Sequence, residues 1–207
     1  MDSKDIVRLG YDKVSCAYRD ARSAADFTDY ACWISELVRR VPRGAPVLDL
    51  GCGCGVPAAR MLAEHFDVTG VDISPVQIER ARELVPEARF VCADMVELDF
   101  APGSFAAIVS LYSIIHVPLE EQPSLFCKLR RWLRPGGYLL ATVGSAHWTG
   151  TEDDWLGVPG ATMYWSHADT ATYRTWLSQS GFAIWWTRFI PEGEDGHTLL
   201  LAQVVQR

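Results

Sequence analysis

Val47-Leu48-Asp49-Leu50-Gly51-Cys52-Gly53-Cys54-Gly55 is the stretch that decides the fold. A short apolar run ends in an acid and then breaks into alternating glycines. That is a buried strand running into a loop whose backbone can turn sharply and approach a ligand closely. A dinucleotide loop would read G-x-G-x-x-G. Counted from Gly51, the third glycine falls due at position 56, where Val56 stands, and Gly55 comes one residue early. Asp49 is poorly placed beside a pyrophosphate and well placed beside a cation. Asp72, 21 residues past Gly51, stands where acids in nucleoside-binding sheets accept hydrogen bonds from ribose hydroxyls. The expected ligand is a nucleoside without pyrophosphate that carries positive charge.

Outward from the loop, strand and helix signals alternate. Residues 30–41 place Trp33, Leu37, Val38 and Val41 on one helical stripe, stopped by Pro42 and Gly44. Pro57 opens a helix to about His65. Asp67–Asp72 reads as a second strand. Ser74-Pro75-Val76-Gln77 is a capping box that starts a helix to about Leu84. Arg89–Cys92 is a third strand that stops before Asp94, and Phe105–Leu111 is a fourth. Leu119–Leu133 is helical, with Leu125, Leu129, Trp132 and Leu133 facing inward. Pro135-Gly136-Gly137 turns into a fifth strand, Tyr138–Val143. Strands alternating with helices on short links make a parallel sheet covered on both faces. Ligands bind beyond the carboxyl ends of such strands, where Asp49, Asp72 and Asp94 fall.

The pattern changes after Gly144. Residues 145–163 show no steady period and read as a long irregular loop. Ser166 is expected to cap a helix to about Gln179. Phe182–Ile190 and Thr198–Val205 read as strands whose short link, Pro191 to Gly196, allows an antiparallel pair.

Composition narrows the function. The 207 residues suit one domain, 1–207, with 1–29 as an N-terminal cap segment and 145–165 as an acceptor-side loop. Lys and Arg number 19 against 26 Asp and Glu, so the formal charge is −7. A reader of backbone phosphates needs positive potential, so no nucleic-acid partner is expected. No apolar run reaches the roughly 20 residues that span a bilayer, and no membrane association is expected. Met1–Tyr11 is charged and has no signal-peptide core, so the expected location is the cytoplasm. None of the six cysteines forms a Cys-x-x-Cys pair. All are read as reduced and mostly buried, and no metal site is expected.

The chain resembles the class I S-adenosylmethionine-dependent methyltransferases, in their small-molecule (type 11/25-like) branch. Val47 to Gly55 is similar to the family's first motif, Gly70-Val71-Asp72-Ile73-Ser74 to its second, and Cys92-Ala93-Asp94-Met95 to its third. Leu133-Arg134-Pro135-Gly136-Gly137-Tyr138 is similar to its strand-five turn. The resemblance covers about residues 10–144. It implies a Rossmann-like three-layer α/β sandwich with a seven-stranded, mostly parallel sheet in the order 3-2-1-4-5-7-6, the last strand antiparallel. It implies S-adenosyl-L-methionine as cofactor, with Asp72 on the ribose, Asp94 facing the adenine amine and Met95 the ring. Tyr11-Asp12 through Tyr18 resembles the segment in which a tyrosine helps to hold the methionine carboxylate. With Asp49, Gly51, Cys52, Gly53, Ile73, Gln77, Ser110 and Leu111, these residues form the expected cofactor set.

The implied reaction is methyl transfer to a small, aromatic or apolar metabolite. Candidate catalytic residues are His116, after the fourth strand, and His167, read as lying at a helix start whose dipole would keep the ring neutral. Candidate acceptor-binding residues are Tyr112, Trp148, Trp155, Tyr164, Trp165 and His197. Six of the eight tryptophans fall between Trp148 and Trp186, and those near the irregular loop suit a flat acceptor under a lid. The rival readings are a nicotinamide-dependent oxidoreductase and a cofactor-binding module without methyl transfer.

Overall fold

The computed structural model describes residues 1–19, 27–193 and 195–205. β1 (Pro46–Leu50) lies near the centre of a seven-stranded sheet. β2 (Asp67–Asp72) pairs with it in parallel on one side and β4 (Phe105–Ser110) on the other. β3 (Arg89–Cys92) extends the sheet beyond β2, and β5 (Leu133–Gly144) extends it beyond β4, both in parallel. β8 (Phe182–Glu192) and β9 (Asp195–Val204) complete it, with β9 antiparallel to both β5 and β8. Counting only the strands of this sheet, the order is 3-2-1-4-5-7-6 with the seventh strand antiparallel, as the family resemblance implies.

Alternation along β1 divides the core into two faces. Val47 joins one apolar cluster with Trp33, Leu37, Leu62, Ile78 and Ala81, drawn from α2 (Thr28–Val38), α3 (Ala58–Ala63) and α4 (Pro75–Leu84). Leu48 and Leu50 join the other, with Leu125, Phe126, Leu129 and Trp132 of α5 (Gln122–Trp132) and Tyr173 and Leu177 of α6 (Thr170–Gln179). Helices therefore cover both faces of a buried parallel sheet. α1 (Ser3–Tyr18), capped by Asp2, lies across the carboxyl end of the strands. Residues 20–26 of the expected cap segment lie outside the described residues.

Several expectations need correction. Residues 145–163 are not one irregular loop. β6 (Trp148–Glu152) pairs antiparallel with β7 (Met163–His167), and a one-turn 3-10 helix, Trp155–Gly157, sits between them. The Thr- and Trp-rich ends form a ladder from Trp148↔His167 to Glu152↔Met163, which a search for strict apolar alternation misses. Ser166 lies inside β7 and caps nothing; Asp169 caps α6 by accepting the Thr172 amide. His167 is therefore a strand residue, not a helix-start residue. The capping box at α4 is half made. Ser74 Oγ accepts the Gln77 amide, but the Gln77 side chain turns to Ser15. Val38 reaches solvent, because α2 ends there. Only Cys52 and Cys54 of the six free cysteines are buried. Among the described residues no helix is long and apolar enough to cross a membrane.

Candidate active site

The glycine loop closes one end of a cleft that is partly open to solvent. Gly51 and Gly53 have φ of 79° and 52°, which a side chain disfavours. A Cβ on Gly51 would also lie 2.1 Å from Ser113 Cβ, so the loop can press against the turn after β4 only with glycine there. Asp72, at the end of β2, accepts the Gly53 amide at 2.8 Å and the Ser74 amide at 2.9 Å. Burial pushes its carboxyl up to about 6, against the pull of those amides. Asp49 is buried, and its Oδ2 has no hydrogen-bond partner among the described residues. Burial, with Asp72 adding repulsion, pushes it up to about 7. An orphaned carboxylate oxygen at the base of a cleft is a seat for a cationic group, so these residues fit a nucleoside bearing positive charge.

α1 forms the opposite wall, contributing Lys4, Val7, Tyr11 and Tyr18. Asp94 and Met95 line the cleft beyond β3, and Leu111, Tyr112 and His116 line it beyond β4. Tyr11 and His116 meet at 3.0 Å between the hydroxyl and Nε2. His116 Nδ1 lies 2.7 Å from the Tyr164 carbonyl, which can only accept, so Nδ1 carries the ring proton and Nε2 accepts from Tyr11. Burial pushes His116 down to about 4, partly offset by that carbonyl, so the ring is neutral. Tyr11 also packs edge-on against Tyr18 and Trp155, at 5.5 Å between centroids in each case, making an aromatic wall from α1 and the β6–β7 connection. Tyr112 adopts a left-handed backbone, φ 56°, fixed by its amide donating to Thr142 Oγ1. For a bulky residue this is strain, of the kind that clusters at functional sites.

The structure thus brings Tyr11, Tyr18, Asp49, Gly51, Cys52, Gly53, Asp72, Ile73, Asp94, Met95, Leu111, Tyr112 and His116 around one cleft. It leaves Gln77 and Ser110 behind the wall. Gln77 accepts from Ser15, and Ser110 bonds the Leu50 carbonyl and Ser113. Trp155 and Trp165 form the shell behind Tyr11 and His116, and Trp148 packs on the outside of Trp165. Tyr164 contributes its carbonyl. His167 donates from Nδ1 to the Ala146 carbonyl and stacks beside Trp148 and His197, away from the cleft lining. Its proton affinity is lowered by burial, not by a helix end. His197 meets the cleft lining at Tyr112, ring to ring at 5.5 Å. Sequence reading missed Lys4, Arg19, Tyr30 and Ser113, which also line the cleft. The charge of α1 gave no sign of which face meets the sheet, and only its apolar stripe, Val7, Gly10 and Val14, could have oriented it.

A glycine loop between a central strand and its helix, with acids at successive strand ends, defines a nucleoside-binding domain of the doubly wound α/β class. Residues 47–137 match the family model described as a methyltransferase domain. Over 119 residues the chain is 40% identical to 2-methyl-6-phytyl-1,4-hydroquinone methyltransferase of Synechocystis, a stretch covering 55% of this chain and 35% of that protein. It is 39% identical over 103 residues to 27-O-demethylrifamycin SV methyltransferase of Amycolatopsis mediterranei, covering 46% and 37%. The matches thus span about a third of those relatives' length. Magnesium protoporphyrin IX methyltransferase of Synechocystis, solved with bound S-adenosylmethionine, shares the fold with a TM-score of 0.75 at 19% identity, over 99% of this chain and 98% of that one. Over residues 47–137 the chain is similar to methyltransferase domains, and it shares its fold with a methyltransferase solved with bound S-adenosylmethionine. The nicotinamide alternative finds no match among these relatives.

Proposed function

We propose that the protein transfers a methyl group from S-adenosylmethionine to a small aromatic or apolar metabolite whose reacting atom carries a hydrogen. The observation that supports this most is the Tyr11–His116 pair, set across the cleft from the orphaned Asp49 carboxylate. S-adenosylmethionine, when bound, supplies a methyl carbon made electrophilic by its sulfonium. Asp49 would hold the cationic part of the cofactor, Asp72 and the glycine-loop backbone its ribose, and Asp94 with Met95 its adenine. Tyr11 has one hydroxyl hydrogen and spends it on His116. Its oxygen therefore offers lone pairs to the cleft and accepts a hydrogen bond from an O–H or N–H nucleophile. His116, neutral and held by the Tyr164 carbonyl, orients Tyr11 rather than storing a proton; the acceptor atom, made strongly acidic once the methyl group has arrived, loses its proton to solvent after the transfer. Catalysis then rests on proximity and on the aromatic wall that excludes water.

In this reading the described part of the N-terminal segment, residues 1–19 and 27–29, and the 145–165 hairpin cap the cleft, the protein works in the cytoplasm, and no nucleic acid takes part. Two measurements test it. Calorimetry should show binding of S-adenosylhomocysteine and not of NAD. Incubation with labelled S-adenosylmethionine and a library of phenols, catechols, amines and terpenoid alcohols should label at least one class. Tight cofactor binding with no transfer to any acceptor would favour the module without methyl transfer.

A further inference from the structure

Lys4 sits in the first turn of α1, and the sequence reading gave it no role. Its ammonium lies 2.8 Å from Asp94 Oδ2 and 2.6 Å from Glu121 Oε2. All three side chains are largely buried, at 20%, 19% and 33% exposure, and Glu121 Oε2 is itself shut off from solvent. Asp94 is fixed from the other side, since its Oδ1 accepts the Val96 amide at 2.8 Å. Lys4 therefore joins three separate parts of the fold: the lid helix, the turn after β3, and the start of α5. Burial alone would loosen its hold on a proton, but the hydrogen bonds to Asp94 and Glu121 raise that hold well above the ordinary lysine value, so Lys4 stays charged.

We propose that Lys4 and Glu121 form an ion-pair clasp that fixes Asp94 and closes α1 over the adenine end of the cleft, so that the clasp sets how long the cofactor stays bound. The proposal rests on the cofactor reading above. Lys4 is a positioning residue in it, acting through Asp94 and through the helix that carries it. Farther along α1, Tyr11 holds His116, Ser15 holds Gln77, Ser74 donates to Asp12, and Lys13 and Arg80 donate to the Gly160 and Ser15 carbonyls, so the helix is tied there by hydrogen bonds with at least one uncharged partner; among the described residues its ion pairs to the rest of the fold are those of Lys4, at its start. Opening should therefore begin at the first turn when the charges are screened. Salt weakens partly exposed ion pairs more than it weakens hydrogen bonds that have an uncharged partner.

The test uses the full chain with S-adenosylhomocysteine as probe, measured by stopped-flow dissociation at about 20 and 500 mM salt. Lys4→Met and Glu121→Gln remove either side of the clasp and leave Asp94 in place. At low salt both variants should release the probe about two- to fivefold faster than the parent, the size of a partly exposed ion pair. The parent rate should rise with salt toward theirs, while the Glu121→Gln rate stays flatter. Hydrogen exchange should show the first turn of α1 less protected in both variants, while the segment around Tyr11 stays protected. Release rates within experimental error of the parent in both variants, or equal salt slopes, overturn the clasp while leaving the cofactor reading intact. Failure of the parent chain to bind the probe overturns both.

Discussion

The Tyr11 hydroxyl and His116 Nε2 meet at 3.0 Å across the cleft, and the direction of that bond is fixed from behind by the Tyr164 carbonyl on Nδ1. The family resemblance assigns a tyrosine of this segment to the cofactor's carboxylate, which would require the hydroxyl to donate there. Here the one hydrogen goes to His116. Tyr11→Phe should therefore leave affinity for S-adenosylhomocysteine within about threefold and lower turnover by about 10²-fold. His116→Gln should lower turnover similarly and also lower the melting temperature, because the Tyr164 carbonyl loses its buried donor. Loss of cofactor affinity in Tyr11→Phe, with turnover retained once the site is saturated, would return Tyr11 to the carboxylate.

Asp72 gives a separate test of the cofactor subsite. Its two oxygens already take the Gly53 and Ser74 amides, so it shapes the glycine loop as well as facing the cleft. Asp72→Ala should weaken cofactor binding about ten- to a hundredfold, the loss expected when charge-assisted hydrogen bonds of ~1.5–3 kcal/mol disappear. Calorimetry showing unchanged affinity would remove it from the ribose.

The parallel half of the sheet was legible because each strand ends in punctuation: Asp49 before glycines, Asp72 before the Ser74 cap, Cys92 before Asp94. The cofactor-side acids followed from the same signals. The acceptor side was not legible for two physical reasons. β6 and β7 pair only with each other, so neither shows the apolar run of a buried strand, and Trp148 and Trp165 read as loop aromatics. Contacts such as Tyr11 with His116, 105 residues apart, depend on where α1 docks, which no local periodicity encodes.

His167 tests that distinction. It was a candidate base when placed at a helix start, but it lies on β7 with Nδ1 on the Ala146 carbonyl and its ring against Gly144. His167→Gln should cost stability and leave turnover within about threefold. A fall of about 10² or more in turnover with an unchanged melting temperature would put His167 in the reaction after all.

Gly51→Ala meets two obstacles at once. The backbone there is left-handed, and the new Cβ would overlap Ser113 Cβ. The strain alone is about 1–3 kcal/mol, and the overlap adds to it. The variant should melt well below the parent and bind S-adenosylhomocysteine poorly. Adding Ser113→Gly should recover part of the loss, since it removes the overlap but not the strain. No recovery in the double variant would mean that the backbone conformation is the whole cost.

The last prediction concerns pH, and its sign follows from Asp49. Burial raises this carboxyl in the folded protein to about 7 from an ordinary value of 3.8. Between those values the folded state holds a proton that the unfolded chain has lost. Folding is therefore favoured on the acid side, and the contribution fades as pH rises from about 4 through about 7. Asp49→Asn removes the buried charge, so its melting temperature should exceed the parent's at pH 8 and approach it at pH 5. A cationic ligand reverses the preference, because it pairs with the ionised form. Affinity for S-adenosylmethionine should rise between pH 6 and pH 8 in the parent, and in Asp49→Asn only over the lower part of that range. Asp72, also raised by burial, to about 6, titrates just below and contributes the lower part of that rise. Equal slopes in parent and variant would show that Asp49 does not face the cation, and the orphaned Oδ2 would then need another partner.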